Sequence, residues 1–378
     1  MENFVERYNQ AERIGKSTVS NRAIEAFSPE VFNTIGYPSR IENESELWRY
    51  HDVMHEGRFD SNLKLLGKYS DHDFDLVTKT AKQILNFSEK NFKMHNSGKH
   101  ALTRALYQFQ LIMQKRPHDG QLSILEVGPG SGYLGLLLAN EGHKYFAMDA
   151  AQAFYLYQKK LWSEIYGENY VDQSEFTESA VLLTEAKITH IPWWRFANLE
   201  IPLPQVDVVT INCALAEIHE NAVKTIFSRL YNVWGDNQRK VVVAENLGFD
   251  YFNRKDKMFF DIRARCFTVS HPHKRVWYFR PDRENSIIES SEIKKMLEQP
   301  RLFKFTKPKL VVLIVALLRT SLGQRLAKVI GRGPLVTASA QTQPVAHFER
   351  LQNFFENLVP DERTKDEVFL DPRPTDIK

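Results

Sequence analysis

The chain has 378 residues, of which 43% are hydrophobic and 26% charged, as in an ordinary globular protein and unlike a disordered or repetitive one. Its formal net charge of +3 is too small to predict a nucleic-acid partner, and two cysteines exclude a disulfide framework. The N-terminus lacks a signal-peptide apolar run, and the longest apolar run, residues 310–318, is too short for a spanning helix, so we expect a cytoplasmic protein.

Residues 1–118 form the first predicted unit, a helical N-terminal region. Apolar positions recur at helical spacing, most clearly over residues 74–113, and no pair of strands is evident. The turn-forming residues 96–98 are expected to interrupt this stretch. The role of this region, either covering a site or mediating assembly, is left open by the sequence.

Residues 119–299 alternate between β-rich apolar runs and helical stretches. Strands are predicted at residues 123–127, 144–148, 206–211 and 240–244, and helices at residues 133–140, 152–166 and 221–234. Repeated β-α units predict an α/β fold with a parallel sheet and helices on both faces. A later strand at residues 275–280 has no following crossover, so we expect it to be antiparallel.

Residues 300–378 form a C-terminal extension of a different character. Residues 300–347 contain no acidic residue and carry eight basic ones within 301–332, around the apolar run. Such a segment is typical of a helix on an anionic membrane surface, which would make the protein peripheral at the inner face of the membrane. A helix docked on the core or on a second subunit would look the same, and a homo-oligomer is therefore a further possibility. A short helix is expected at residues 348–358, followed by a polar tail.

A glycine-rich motif follows the first predicted strand. Gly128, Gly130 and Gly132 stand at every second position, where a strand-to-helix turn lets the backbone approach a ligand closely. A nicotinamide-cofactor loop would need a glycine at position 133, which is Tyr133. The spacing therefore disfavours a dinucleotide.

The acidic-x-Gly-x-Gly-x-Gly pattern that begins at Glu126 resembles motif I of the class I S-adenosylmethionine (SAM)-dependent methyltransferases. This resemblance covers about a third of the chain. It implies a Rossmann-like sheet with a last antiparallel strand, SAM as cofactor, and an acidic residue after the second strand that binds the ribose hydroxyls, a place that Asp149 occupies. It further implies that Glu126 and the glycine loop hold the methionine moiety, and that Asn212 faces the reactive end of the cofactor.

The segment after the strand at 206–211 carries the candidates for a general base. A sugar hydroxyl has a high pKa, so a base is expected to accept its proton, and Glu217 and His219 are the best placed residues. Either residue can instead lie in the first turn of the next helix with no catalytic role. An Asn-Pro-Pro-Tyr-like sequence, typical of many enzymes that methylate base or amide nitrogens, does not follow this strand.

Residues His190, Trp193, Trp194 and Arg195 form the candidate substrate site. Neighbouring tryptophans beside an arginine suit a carbohydrate, although two such rings can equally cover the core. The chain resembles bacterial sugar O-methyltransferases in its general layout, which implies methyl transfer to a sugar hydroxyl of a surface polysaccharide or glycoside. The alternatives are methylation of a natural product or phenol and a catalytically silent scaffold.

A metal centre is not expected, because no pair of carboxylates stands at ligand spacing. A magnesium-dependent variant stays open, since oxygen and nitrogen ligands occur near predicted strand ends. These ligands are Asp207, Glu217, His219, Glu245 and Asn246.

Overall fold

A computed structural model describes residues 4–27, 38–53, 58–66, 69–116, 119–175, 185–212, 241–245, 267–273, 276–281 and 346–359, with a few single residues between 214 and 230. Strand and helix bounds below refer to these parts of the chain.

The N-terminal region is helical, as its apolar spacing predicts. Its helices are α1 (Phe4–Lys16), α2 (Asn21–Phe27), a 3₁₀ helix (Glu44–Tyr50), α3 (Phe59–Leu63), α4 (Asp71–Phe92) and α5 (Lys99–Lys115). Ser70 caps α4 in a capping box, since its hydroxyl accepts from the Asp73 N–H at 3.1 Å while the Asp73 carboxylate accepts from its N–H at 2.9 Å. Gly98, in the left-handed region at φ 67°, separates α4 from α5 within the predicted break.

The remaining elements alternate between strands and helices. They are β1 (Ser123–Val127), α6 (Tyr133–Asn140), β2 (Lys144–Asp149), α7 (Gln152–Tyr166), β3 (Tyr170–Asp172), β4 (Ile188–Pro192), α8 (Trp193–Ala197), β5 (Val208–Asn212), β6 (Val241–Glu245), β7 (Phe267–His273), β8 (Val276–Pro281) and α9 (Ala346–Leu358). Two short 3₁₀ helices, Gly167–Asn169 and Gln173–Glu175, flank β3.

These strands form one sheet in the order β3-β4-β2-β1-β5-β6-β8-β7. The pairs from β3 to β6 are all parallel, and β8 is antiparallel to both β6 and β7. Strands β2, β3 and β4 follow β1 in the chain and lie on one side of it, whereas β5 and β6 lie on its other side. The direction in which strands are added therefore reverses at β1. Ligands of open α/β sheets bind at this switch point, beyond the carboxyl ends of the strands. The predicted Rossmann-like fold with a late antiparallel strand is confirmed.

The helical N-terminal region and the sheet share one hydrophobic core. Tyr8 of α1 packs on Tyr155 of α7 with ring centroids 5.0 Å apart, and Phe27 of α2 lies parallel to Trp193 at 6.0 Å. The division at residue 118 therefore marks a change of architecture, and the domain boundaries stay predictions.

Helix α9 packs back on the N-terminal region. Phe355 contacts Phe59 edge-on with centroids 5.5 Å apart, and Phe354 contacts Phe74 at 6.0 Å. The Arg350 guanidinium lies 3.8 Å from the centre of the Phe74 ring. Part of the C-terminal extension thus belongs to the folded body.

Candidate cofactor site

The glycine loop between β1 and α6 adopts a conformation that only glycine takes easily. Gly128, Gly130 and Gly132 all have positive φ, at 74°, 59° and 76°. A Cβ on Gly128 would lie 2.6 Å from the Ala214 side chain, and one on Gly132 would lie 2.6 Å from the Trp162 ring. A Cβ on Gly130 would meet no described atom within 4 Å. The tip of the loop at Gly130 is therefore the place where a ligand can approach the backbone.

Glu126 lies beneath this loop on β1 and is 2% exposed. One carboxylate oxygen accepts a hydrogen bond from the Tyr145 hydroxyl at 2.5 Å, and the other accepts from the Asn212 amide at 3.3 Å. Burial raises the pKa of Glu126 to about 7, although both hydrogen bonds act to lower it. Among the described residues this carboxylate has no cationic partner.

Asp149 ends β2 on the other side of the loop and is also buried. Its carboxylate accepts from the Ala151 N–H at 3.0 Å and from the Gln158 amide at 2.9 Å. Burial raises the pKa of Asp149 to about 6. Within the described part of the chain this second carboxylate likewise forms no ion pair.

Asn212 ends β5, so the structure brings it to the same edge of the sheet as Glu126 and Asp149. Its amide nitrogen donates to Glu126 and, at 2.8 Å, to the Thr210 hydroxyl. Its Oδ1 is buried and accepts no hydrogen bond from the described residues. An unsatisfied buried acceptor is rare in proteins and suits a donor on a ligand.

The N-terminal region supplies a wall to this site. The Ser131 hydroxyl of the glycine loop donates to the Tyr50 carbonyl at 3.1 Å, and the Ala153 N–H at the start of α7 donates to the Ser39 carbonyl at 3.1 Å. Residues 38–53 therefore border both the glycine loop and the turn after Asp149. These contacts favour a covering role for the N-terminal region.

The predicted substrate residues His190, Trp193, Trp194 and Arg195 are all buried. His190 stacks on Tyr155 with ring centroids 3.6 Å apart, and burial lowers its pKa to about 3. The contacts described for the two tryptophans are with protein, mainly with α1, α2 and each other. A role in binding substrate stays a prediction for these residues.

Glu217 and His219 lie outside the described residues, as does the basic segment 301–332. Their predicted roles as base candidates and as a membrane-contacting segment stay predictions.

Of the possible magnesium ligands, Asp207 precedes β5 and accepts from the Ser123 N–H at 2.8 Å, whereas Glu245 ends the parallel strand β6. These two residues lie at opposite edges of the sheet and cannot share an ion. Within the residues that the structure describes there is no cluster of three or more metal-binding side chains, and no helix is long and apolar enough to cross a bilayer.

Two residues of the site were not anticipated from the sequence. Tyr145 is the main hydrogen-bond partner of Glu126, and Gln158 joins Asp149 to Gly130. Gln158 is fully buried on an otherwise largely apolar face of α7. The sequence signal that could have identified Gln158 is a glutamine at a core position of a predicted helix, nine residues after Asp149.

The pair Gly130→Ala and Gly142→Ala separates ligand contact from backbone strain. Both glycines have positive φ, and a Cβ on either meets no described atom within 4 Å, so both variants should lose similar stability, about 1–2 kcal/mol. Only Gly130→Ala places a methyl group at the tip of the glycine loop, so only this variant should lose ligand affinity, by about ten-fold or more. Urea unfolding and calorimetric titration measure the two quantities. Equal affinities of both variants would place the ligand elsewhere.

No family model matches this chain, and no curated protein matches it either. Among solved structures, it is similar to magnesium protoporphyrin IX methyltransferase from Synechocystis PCC 6803, at 12% identity over 64% of this chain and 100% of that one, with a TM-score of 0.32. It is also similar to a TehB-like SAM-dependent methyltransferase from Corynebacterium glutamicum ATCC 13032 Kitasato, at 13% identity over 46% and 86%, with a TM-score of 0.34. A third is precorrin-6y C5,15-methyltransferase from Geobacter metallireducens GS-15, at 13% identity over 46% and 86%, with a TM-score of 0.31. Scores of this size carry no functional argument, and the fold assignment rests on the strand order above.

Proposed function

We propose that this protein binds SAM and transfers its methyl group to an acceptor. The observation that carries the proposal is the pair of buried carboxylates, Glu126 and Asp149, on either side of the glycine loop. Neither has a cationic partner among the described residues, and an unpaired buried charge is costly. A ligand with positive charge and hydroxyl donors would satisfy both carboxylates.

SAM fits this arrangement better than a dinucleotide does. Its ammonium group can donate to Glu126 and to the unsatisfied Oδ1 of Asn212, and its ribose hydroxyls can donate to Asp149. The open side of Gly130 leaves room for the cofactor against the backbone. A pyrophosphate at the same loop would stand beside the buried carboxylate of Glu126 and would be repelled by it.

Bound SAM would supply a methyl group on a positively charged sulfur. The residues of this chain hold and orient it, since alignment of acceptor and methyl group accounts for much of the rate of such a transfer. Residues 38–53 contact the loop and the start of α7 and would restrict access of water to the bound cofactor. For a hydroxyl acceptor, Glu217 and His219 remain the candidates for accepting the proton.

The acceptor that we propose is a sugar hydroxyl of a bacterial polysaccharide or glycoside. This choice rests on the resemblance in layout to sugar O-methyltransferases. The packing of Trp193 and Trp194 against α1 and α2 adds nothing to it. Transfer of labelled methyl from SAM to purified glycans, compared with small phenols, tests the acceptor class. Transfer to phenols alone would favour the natural-product alternative, and SAM binding without any transfer would favour a silent scaffold.

SAM affinity is expected to rise by at least about ten-fold between about pH 5.5 and about pH 8. Burial raises the pKa of Glu126 to about 7 and that of Asp149 to about 6, so both carboxyls hold protons at the lower pH. A cationic ligand binds the ionised forms, so binding releases protons. Calorimetric titration in two buffers of different ionisation enthalpy measures both the affinity and the protons released.

The variant Glu126→Gln is the control for this pH dependence. It removes the group that titrates nearest to neutrality, so the rise in affinity should flatten above about pH 6.5. Affinity that is independent of pH in the unaltered protein would contradict the proposed role of the two carboxylates.

A further inference from the structure

Gln158 connects the two halves of the candidate cofactor site. It lies on α7 and is fully buried. Its Nε2 donates to the Gly130 carbonyl at 2.7 Å and to the Asp149 carboxylate at 2.9 Å. A single side-chain amide thus joins the tip of the glycine loop to the carboxylate at the end of β2.

The orientation of this amide is fixed by its partners. Both groups that face Nε2 are acceptors, so exchanging the nitrogen and oxygen of the amide would place oxygen against oxygen. With Nε2 in place, Oε1 is buried and accepts no hydrogen bond from the described residues. A leucine of similar size would avoid this unsatisfied acceptor, so packing alone does not account for the glutamine.

We propose that Gln158 is a positioning residue for ribose recognition, which holds Asp149 so that its carboxylate can accept the hydroxyls of the cofactor. This inference rests on the proposed binding of SAM. Asp149 accepts from the backbone N–H of Ala151, and Gln158 is its side-chain donor within the described part of the chain. Gln158 therefore sets the direction of the carboxylate independently of the local backbone, and ties it to the loop that carries the rest of the ligand.

Burial already disfavours the ionised form of Asp149, and the Gln158 hydrogen bond is the largest effect acting the other way. Loss of this bond would leave a carboxyl that is both misdirected and more readily protonated. Both consequences act on the ribose hydroxyls, whereas loss of the bond to the Gly130 carbonyl affects the methionine end of the ligand only through the glycine loop.

A thermodynamic cycle that combines one change in the protein with one change in the ligand tests the proposal. The variant is Gln158→Leu, and the ligands are S-adenosylhomocysteine and its 2′,3′-dideoxy counterpart, with affinities measured by calorimetric titration. Gln158→Leu should weaken binding of S-adenosylhomocysteine by about ten-fold or more. Binding of the dideoxy ligand should weaken by clearly less, because the hydroxyls that Gln158 serves are absent and only the bond to the Gly130 carbonyl is lost. Equal losses with both ligands would overturn the proposal, and so would no loss with either.

The variant Gln121→Leu is the matched control. The Gln121 amide also donates to a glycine carbonyl, that of Gly142, at 2.6 Å on the exposed surface, so its loss should leave both affinities unchanged. Failure of the unaltered protein to bind either S-adenosylhomocysteine or SAM would overturn the proposed function itself. Binding by the unaltered protein with an equal response to both ligands would overturn only the role of Gln158.

A second variant, Gln158→Glu, covers the case in which Gln158→Leu fails to fold. Glutamate matches the size of glutamine but, once ionised, cannot donate to Asp149 and repels it. Its affinity for S-adenosylhomocysteine, taken relative to that of the unaltered protein, should fall as the pH rises from about 6 to about 9 and the introduced carboxyl ionises. A ratio of the two affinities near one across this pH range would contradict the proposal.

Discussion

Replacing Asp149 by asparagine is expected to weaken SAM binding by about 100-fold or more. The carboxylate accepts from Ala151 and Gln158 and is proposed to accept two ribose hydroxyls as well. An asparagine has one acceptor oxygen, and its NH₂ group would face donors where the carboxylate now accepts. The variant therefore loses ribose contacts and also loosens the glycine loop. Equilibrium dialysis with labelled SAM measures the loss.

The control for this change is Asp207→Asn, at the opposite edge of the same sheet. Asp207 also accepts from a backbone N–H, that of Ser123, at 2.8 Å. The chemical change is identical, but it lies before β5 and away from the ends of the strands where the ligand is proposed to bind. SAM affinity should be unchanged in this variant. If Asp149→Asn bound SAM within about three-fold of the unaltered protein, the site would have to be placed elsewhere.

Trp193→Ala is expected to lower the free energy of unfolding by about 3–5 kcal/mol. The Trp193 ring is fully buried, lies parallel to Phe27 with centroids 6.0 Å apart, and donates from Nε1 to Glu12 at 2.9 Å. Truncation would leave a cavity between α1, α2 and α8 and remove a hydrogen bond from a buried carboxylate. Urea unfolding measures the change.

Two further variants show whether Trp193 acts through packing alone. Trp193→Phe keeps most of the buried ring and loses the bond to Glu12, so a purely structural role predicts a smaller loss of stability and an unchanged KM for the acceptor. Trp48→Ala removes a tryptophan that is only partly buried and should cost clearly less than Trp193→Ala. A stable Trp193→Phe protein with a raised acceptor KM would instead favour the predicted contact with substrate.

The elements with strong local signals could be predicted from the sequence. The bounds of β1, α6 and α7 match the predicted ranges, because apolar runs and the glycine motif mark them directly. Strands β3, β4 and β7 were not predicted. β3 has three residues, and β4 buries Thr189 and His190, polar residues that give no strand signal by apolar patterning.

The residues of the candidate site also differ in whether a local sequence pattern identifies them or only the packing of the folded chain does. Glu126 and the three glycines belong to a short motif with fixed spacing, and the resemblance that this motif carries implies Asp149. Gln158 and the wall formed by residues 38–53 depend on how α7 and the N-terminal region pack, which no local pattern contains. Adjacent aromatic residues such as Trp193 and Trp194 fit a sugar site and a core equally well until their neighbours are known.

Helix α9 determines how the basic segment 301–332 can be studied. Strand β8 and helix α9 both belong to the folded body, and the segment lies between them in the sequence. A truncation after Arg301 would remove the anchoring aromatic residues of α9 together with the basic ones. Replacing the basic residues by neutral ones in an otherwise intact chain removes their charge and leaves the packing of α9 in place.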